Sequence, residues 1–174
     1  LRSGWAVYQL FYGRTMKVEP ILDRPVDIPT LLLYGPDDHV VQEDFIPESG
    51  FLGFAQEMAQ LLRRRNVEAL NVSVRHSPRD RVSALPWAPD DACSFVLYHK
   101  QRTWPRARDA VGTWTRELIA LALRHGGRYY LPYQLHATID QFNQAYPEAT
   151  QFRRTKQQID PAGTLSNEMW RKYL

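Results

Sequence analysis

Between Gly126 and His136 the chain sets Arg128, Tyr129, Tyr130, Tyr133, Gln134 and His136 around Leu131-Pro132. Phenols, an imidazole and an amide crowded at the end of one short strand, stopped by a proline, supply donors and acceptors suited to holding a ligand. His136 is the titratable member, the side-chain type whose charge changes nearest neutral pH. The other four histidines, His39, His76, His99 and His125, are scattered, and each reads more simply as a solvated or core-satisfied ring. No glycine-rich phosphate loop, Ser-His-Asp spacing, His-x-x-x-His or cysteine pair occurs, so no self-contained catalytic or metal motif is visible. The single cysteine, Cys93, excludes an intrachain disulfide framework and fits a reducing, cytoplasmic setting.

Composition bounds what must position these groups. The chain has 174 residues, 44% hydrophobic and 24% charged, enough for one compact domain with a single core. A formal charge of +3 and a pI near 9.1 permit an anionic ligand without demanding nucleic acid. Every apolar run, Leu31 to Tyr34 among them, is far below the ~20 residues that cross a bilayer. The chain opens on Leu1-Arg2 with no initiator Met and no signal core, and is expected to be a piece of something longer. Residues 1–36 carry Trp5, Tyr8, Phe11 and Tyr12, then Pro20, Pro25, Pro29 and Pro36. Prolines at that spacing block both helix and sheet pairing, so the segment reads as a connector.

From the Gly35-Pro36-Asp37-Asp38 turn onward the periods become regular. His39 to Ile46 is a strand candidate stopped by Pro47. Ser49 offers an N-cap for a helix whose Phe51, Leu52, Ala55, Met58, Leu61 and Leu62 fall at spacings of three and four and whose last turn holds Arg63-Arg64-Arg65. Val67 to His76 alternates, with Leu70, Val72 and Val74 on one side and Asn71, Ser73 and Arg75 on the other. A long loop leads to a strand over 92–101, centred on Phe95 to Tyr98. Pro105 then starts a helix with Ala107, Ala110, Val111, Trp114, Leu118, Leu121 and Ala122 on one face, ended by His125-Gly126. Arg128 to Leu131 is the fourth strand. Thr138 with Gln141 is a capping-box pattern for a helix cut at Pro147, and a last helix over 148–158 precedes Asp160-Pro161. The order strand, helix, strand, strand, helix, strand predicts an α+β fold of the ferredoxin-like βαββαβ kind, an antiparallel sheet with both helices on one face and a helical C-terminal tail.

Such a sheet leaves its other face open. That face carries Glu43, Arg75, Tyr98 and the Tyr130 region, and must be covered by water, a ligand or another domain. One occupant is RNA or another single strand, because RNA-recognition motifs share this element order and stack bases on sheet aromatics. The match fails where Lys/Arg-Gly-Phe/Tyr-Gly does not precede Phe95 and where Glu43 and Asp44 on the first strand would repel phosphates. A non-catalytic binding module for nucleic acid or a protein partner is the second class of reading.

The C-terminal third carries a sharper likeness. Arg128-Tyr129-Tyr130-Leu131-Pro132-Tyr133, then Phe142 and Tyr146-Pro147, then Lys156-x-x-x-Asp160-Pro161-x-x-x-Leu165-Ser166-Asn167 resembles the C-terminal end of the vanillyl-alcohol-oxidase superfamily of FAD enzymes. Sugar-lactone oxidases, cytokinin dehydrogenases and decaprenylphosphoryl-ribose oxidases end in a similar way. Upstream, Glu43-Asp44-Phe45-Ile46-Pro47 resembles the strand ending in Pro that such proteins carry in the cap.

The resemblance implies a cap domain over residues 37–132 whose sheet roofs the flavin ring, with 133–174 as a tail returning to an FAD-binding domain held elsewhere. By position it sets Tyr130 and Tyr133 near flavin and substrate, with Gln134, His136 and Asn167 as further cofactor-side residues. Glu43 and Arg75 would point toward a polar small-molecule substrate. In the ribose oxidases a lysine occupies the place of Tyr133. Flavin chemistry asks the protein for orientation, water exclusion and charge placement. A carboxylate, a guanidinium and phenols on one strand face could hold substrate hydroxyls, with Glu43 accepting the alcohol proton. The plainer reading of Glu43 and Arg75 is a cross-strand ion pair worth ~0.2–1 kcal/mol. For Tyr130 and Tyr133 the plainer reading is core packing.

Overall fold

The computed structural model describes residues 37–174; the connector expected over 1–36 lies outside them. The elements run β1 (Asp37–Pro47), a 3-10 turn (Glu48–Gly50), α1 (Phe51–Arg64), β2 (Ala69–Ser77), β3 (Ala92–Arg102), α2 (Pro105–Arg124), β4 (Arg128–Tyr129), α3 (Ile139–Ala145), α4 (Ala149–Ile159) and α5 (Glu168–Tyr173). The strands form one sheet in the order β2-β3-β1-β4, and every neighbouring pair is antiparallel. This is the α+β, ferredoxin-like topology that the element order predicts.

Period-two alternation decides the two faces. On β1, Gln42, Asp44 and Ile46 point toward the helices, and Val41, Glu43 and Phe45 point away. On β3, Phe95, Leu97 and His99 meet the helices while Ser94, Val96 and Tyr98 turn outward. The helix side is closed by Phe54, Met58, Leu61 and Leu62 of α1 with Val111, Trp114, Leu118 and Leu121 of α2, packed on Ile46, Phe95 and Leu97. Each such fully buried apolar side chain contributes on the order of 2 kcal/mol.

A second core joins α2 and β4 to the C-terminal helices. Ile119 and Tyr129 pack with Phe142, Ala145, Tyr146, Ala149 and Tyr173, and the Phe142 and Tyr173 rings stack at 4.6 Å and 6°. Residues 133–174 therefore fold against the β4 edge. The expected capping box is present: Gln141 N donates to Thr138 Oγ1 at 3.1 Å, and Thr138 N donates to Gln141 Oε1 at 3.0 Å.

Several local expectations are corrected. Ser49 does not cap α1; Gly50 holds that position with no side-chain cap, because a 3-10 turn has already begun at Glu48. Leu70 does not share a face with Val72 and Val74. A register irregularity between Ala69 and Asn71 breaks the alternation, leaving Leu70 44% exposed while Ala69 packs on the core. Ala107 and Ala110 are not buried, since α2 begins to pack only from Val111. β4 ends at Tyr129 rather than Leu131, and α5 is a further helix. In the last turn of α1, Arg65 pairs with Glu117 of α2, and Arg64 lies 3.8 Å from the same carboxylate.

Candidate functional site

The outward face of the sheet brings Glu43, Arg75 and Tyr133 together. Glu43 sits mid-strand on β1 opposite Val96, and its side chain is only 10% exposed. Ser94 Oγ donates to Glu43 Oε1, and an Arg75 guanidinium nitrogen lies 3.6 Å from that oxygen. Tyr133 OH donates to Oε2 at 3.4 Å. The partners come from three elements: Ser94 from β3, Arg75 from β2 directly opposite Ser94 in the register, and Tyr133 from the turn after β4. Burial first, then the Glu43 charge, pushes the Tyr133 phenol above its ordinary value, so it remains a donor.

Aromatic rings wall one end of this cluster. Tyr130 meets Tyr133 edge-on at 5.5 Å and Phe45 at 5.7 Å. Trp87 from the long β2–β3 loop closes on Tyr130 at 6.1 Å and on Phe45 at 6.4 Å. That loop is pinned: Asp80 N donates to Ala88 O at 2.8 Å, and Arg128 donates to Pro86 O at 2.7 Å while pairing with Glu148. The other end of the cluster is open, with Tyr98 42% exposed and the Arg75 guanidinium largely in solvent. A largely buried carboxylate beside an exposed guanidinium and two phenols can bind hydroxyl-bearing ligands and take a proton from one.

Three sequence-predicted residues do not join the cluster. Gln134 and His136 are hydrogen-bonded to each other, and His136 lies against Gly112 and Arg116 of α2. The chain rounds the sheet edge between Tyr133 and Gln134, from the outward face to the helix side. Asn167 caps α5, its Oδ1 accepting from Trp170 N at 2.8 Å. Asp160 likewise shapes the loop after α4: it accepts from Thr164 N and Leu165 N, both at 2.9 Å, and from Lys156 Nζ. These contacts hold its carboxyl at about 2, the Lys156 bond first among them.

Ser94 and Trp87 are the members not singled out as site residues from the sequence. Ser94 has a legible signal, because alternation from Phe95 must turn it outward, onto the face of Glu43. Trp87 has none; a loop residue's docking depends on tertiary contacts.

The reverse side of β1 is a different environment. Asp44 is fully buried, takes one bond from Gln42 Nε2 at 3.2 Å, and has no protein partner for Oδ2. Burial raises its carboxyl to about 7, with the adjacent Glu43 charge a smaller cause in the same direction. Further along the same side of the sheet, His99 packs edge-on against Trp114 at 4.8 Å, and burial lowers it to about 4, which leaves it neutral.

No group of side chains among the described residues has the makings of a metal site, and no helix among them is long and apolar enough to cross a membrane. A scan against protein-family models finds none that matches the chain, and a search of curated proteins finds no match.

Proposed function

We propose that this chain is the cap and C-terminal portion of an FAD-dependent oxidoreductase that oxidises an alcohol or similarly activated C–H bond of a polar small molecule. The observation that carries the reading is the convergence of Glu43, Arg75, Ser94 and Tyr133 on the uncovered sheet face, walled by Tyr130, Phe45 and Trp87. The phenols of Tyr130 and Tyr133 and the flat outward face suit a planar ring laid beneath them. Gln134, His136 and Asn167 do not fit a cofactor on that face, since the first two lie on the helix side and the third is a helix cap.

FAD, bound by another part of the polypeptide, supplies the hydride acceptor. In this reading Glu43 takes the hydroxyl proton of the substrate. Tyr133 and Ser94 hold the carboxylate in position until substrate displaces one of them, and Arg75 swings in to bind a second polar group. The aromatic wall excludes water from one side.

The test uses the polypeptide encoded by the full reading frame. A yellow preparation is expected, with flavin reduction slowed by roughly 100-fold or more in Glu43→Gln, the scale of losing a general base. Tyr133→Phe should also slow reduction while leaving the flavin bound. A reading frame with no glycine-rich flavin loop, together with a colourless product that binds a single-stranded oligonucleotide, would transfer the open face to the binding-module class.

A further inference from the structure

We propose that the outer surface of the helix pair, where α1 and α2 turn away from the sheet, is the contact surface for a second copy of this chain. The inference goes beyond the oxidoreductase reading and uses none of its residues, since the helices lie on the opposite side of the sheet from Glu43. It starts from a spacing. Residues 57–64 and 117–124 both read Glu-x-x-x-Leu-x-x-Arg. Seven residues are about two helical turns and about 10.5 Å of helix, so each helix carries a carboxylate and a guanidinium on one stripe with a leucine between them. Ion pairs across the helices set the two stripes antiparallel. Glu57 of α1 pairs with Arg124 of α2 at 2.8 Å, and Arg64 of α1 lies 3.8 Å from Glu117 of α2. The stripes border a groove of about 330 Å³, with the buried Leu61 and Leu121 between its charged corners.

The charges at the four corners of this groove alternate in sign along each helix and across the gap, and they sum to zero. Such a pattern is its own complement. A second copy turned over about an axis along the groove sets its Glu57 above Arg124 and its Glu117 above Arg64. Turned about an axis across the groove, it sets Glu57 above Arg64 and Glu117 above Arg124. In both orientations every carboxylate meets a guanidinium and no charge meets its own sign, the self-complementary contact of a closed two-fold dimer. Corners on one helix stand farther apart than the ~8 Å screening length of physiological salt, so each reads its own partner. A polyanion laid on this surface would meet Glu57 and Glu117, and a polycation would meet Arg64 and Arg124. The alternating pattern that fits all four corners is the one this chain itself carries.

The corner groups are accessible. The side chains of Arg64 and Arg124 are 64% and 62% exposed, Glu57 is exposed, and Glu117 is half-buried. A guanidinium carries five donors in a planar fork, so Arg124 can keep its bond to Glu57 and still donate to a carboxylate of the facing copy. Exposed charges of this kind supply orientation and salt dependence more than affinity. The expected dimer is a weak one that dissociates on dilution.

The experiment is sedimentation equilibrium of the full chain. A mass of two chains is expected at about 0.5 mM, enough to populate a complex of micromolar affinity, falling to one chain on dilution. A single-chain mass at that concentration, or a mass above two chains, would overturn the proposal. Raising the salt from about 0.05 M to about 0.5 M should weaken association by about tenfold or more; an association indifferent to salt would overturn it without any variant. Glu57→Lys with Glu117→Lys makes all four corners positive, and Arg64→Glu with Arg124→Glu makes them all negative. Each double variant alone should sediment as one chain, and an equal mixture of the two should regain the two-chain mass. A double variant that melts cooperatively yet associates like wild type, or a mixture of folded variants that stays single, would also count against it. These readouts are masses and involve neither flavin nor turnover, so failure here leaves the oxidoreductase reading standing, and the reverse holds too.

Discussion

Glu43 and Asp44 are adjacent in the chain and opposite in circumstance. Glu43 lies on the outward face among Ser94, Arg75 and Tyr133, while Asp44 points into the helix-covered core with one hydrogen bond. The raised carboxyl of Asp44, at about 7 against an unfolded value of about 4, sets a sign. The folded state holds its proton more tightly than the unfolded state. The protonated form therefore favours folding fully below about pH 4, and that contribution is lost as pH rises through 7. The loss at pH 8 is on the order of 4 kcal/mol. Asp44→Asn keeps an acceptor for Gln42 and removes the charge, so its melting temperature should exceed that of wild type at pH 8 and converge with it only below about pH 4; equal melting curves at pH 8 would show that Asp44 is not the titrating group. Alternation alone makes the outward placement of Glu43 and Arg75 legible in the sequence. The departure of Gln134 and His136 is not, because it depends on where the chain crosses the sheet edge. Asn167 carried a readable cap signal, an Asn followed by Glu168, which the likeness to a cofactor-side motif obscured.

At the level of elements, the junction between α2 and β4 holds the most crowded of the described glycines. Gly126 takes φ +74 after the cap residue His125; Gly127 N donates to Ala122 O at 2.8 Å and Gly126 N to Leu123 O at 3.0 Å, a Schellman ending. A side-chain carbon on Gly127 would lie 2.4 Å from Phe45 O and 2.6 Å from the Ile46 side chain. Gly127→Ala should thus destabilise the domain by about 3 kcal/mol or more, read by chemical denaturation, since β1 and α2 would both have to retreat. The helix stop at Gly126 was legible, whereas the closeness of β1 behind Gly127 was not. Both helices of the βαββαβ unit and the capping box of α3 were likewise readable from period and cap residues. The bulge that exposes Leu70 was not, because one extra residue in a strand leaves no compositional mark.

Across the whole molecule, two cores share α2, and Ile119 and Tyr129 belong to the one built by residues 133–174. A chain ending at Pro132 would bare both, together with the face of β4. It should lose cooperative melting and bind a hydrophobic dye; a cooperative transition like that of the intact chain would mean that the second core adds little. The overall topology was legible because each element has a strong local period. The attachment of the C-terminal helices was less so, for their buried residues, Phe142, Tyr146 and Tyr173, are spread over separate short elements. The back-to-back carboxylates of β1 have a last consequence. Because the Glu43 charge helps to hold Asp44 protonated, anything that neutralises Glu43 on the wet face makes the dry carboxylate easier to ionise and the fold steadier near neutral pH. Strand β1 thereby turns occupancy of the open face into heat resistance, so a melting curve can act as a ligand gauge for a domain that has no chromophore of its own chemistry.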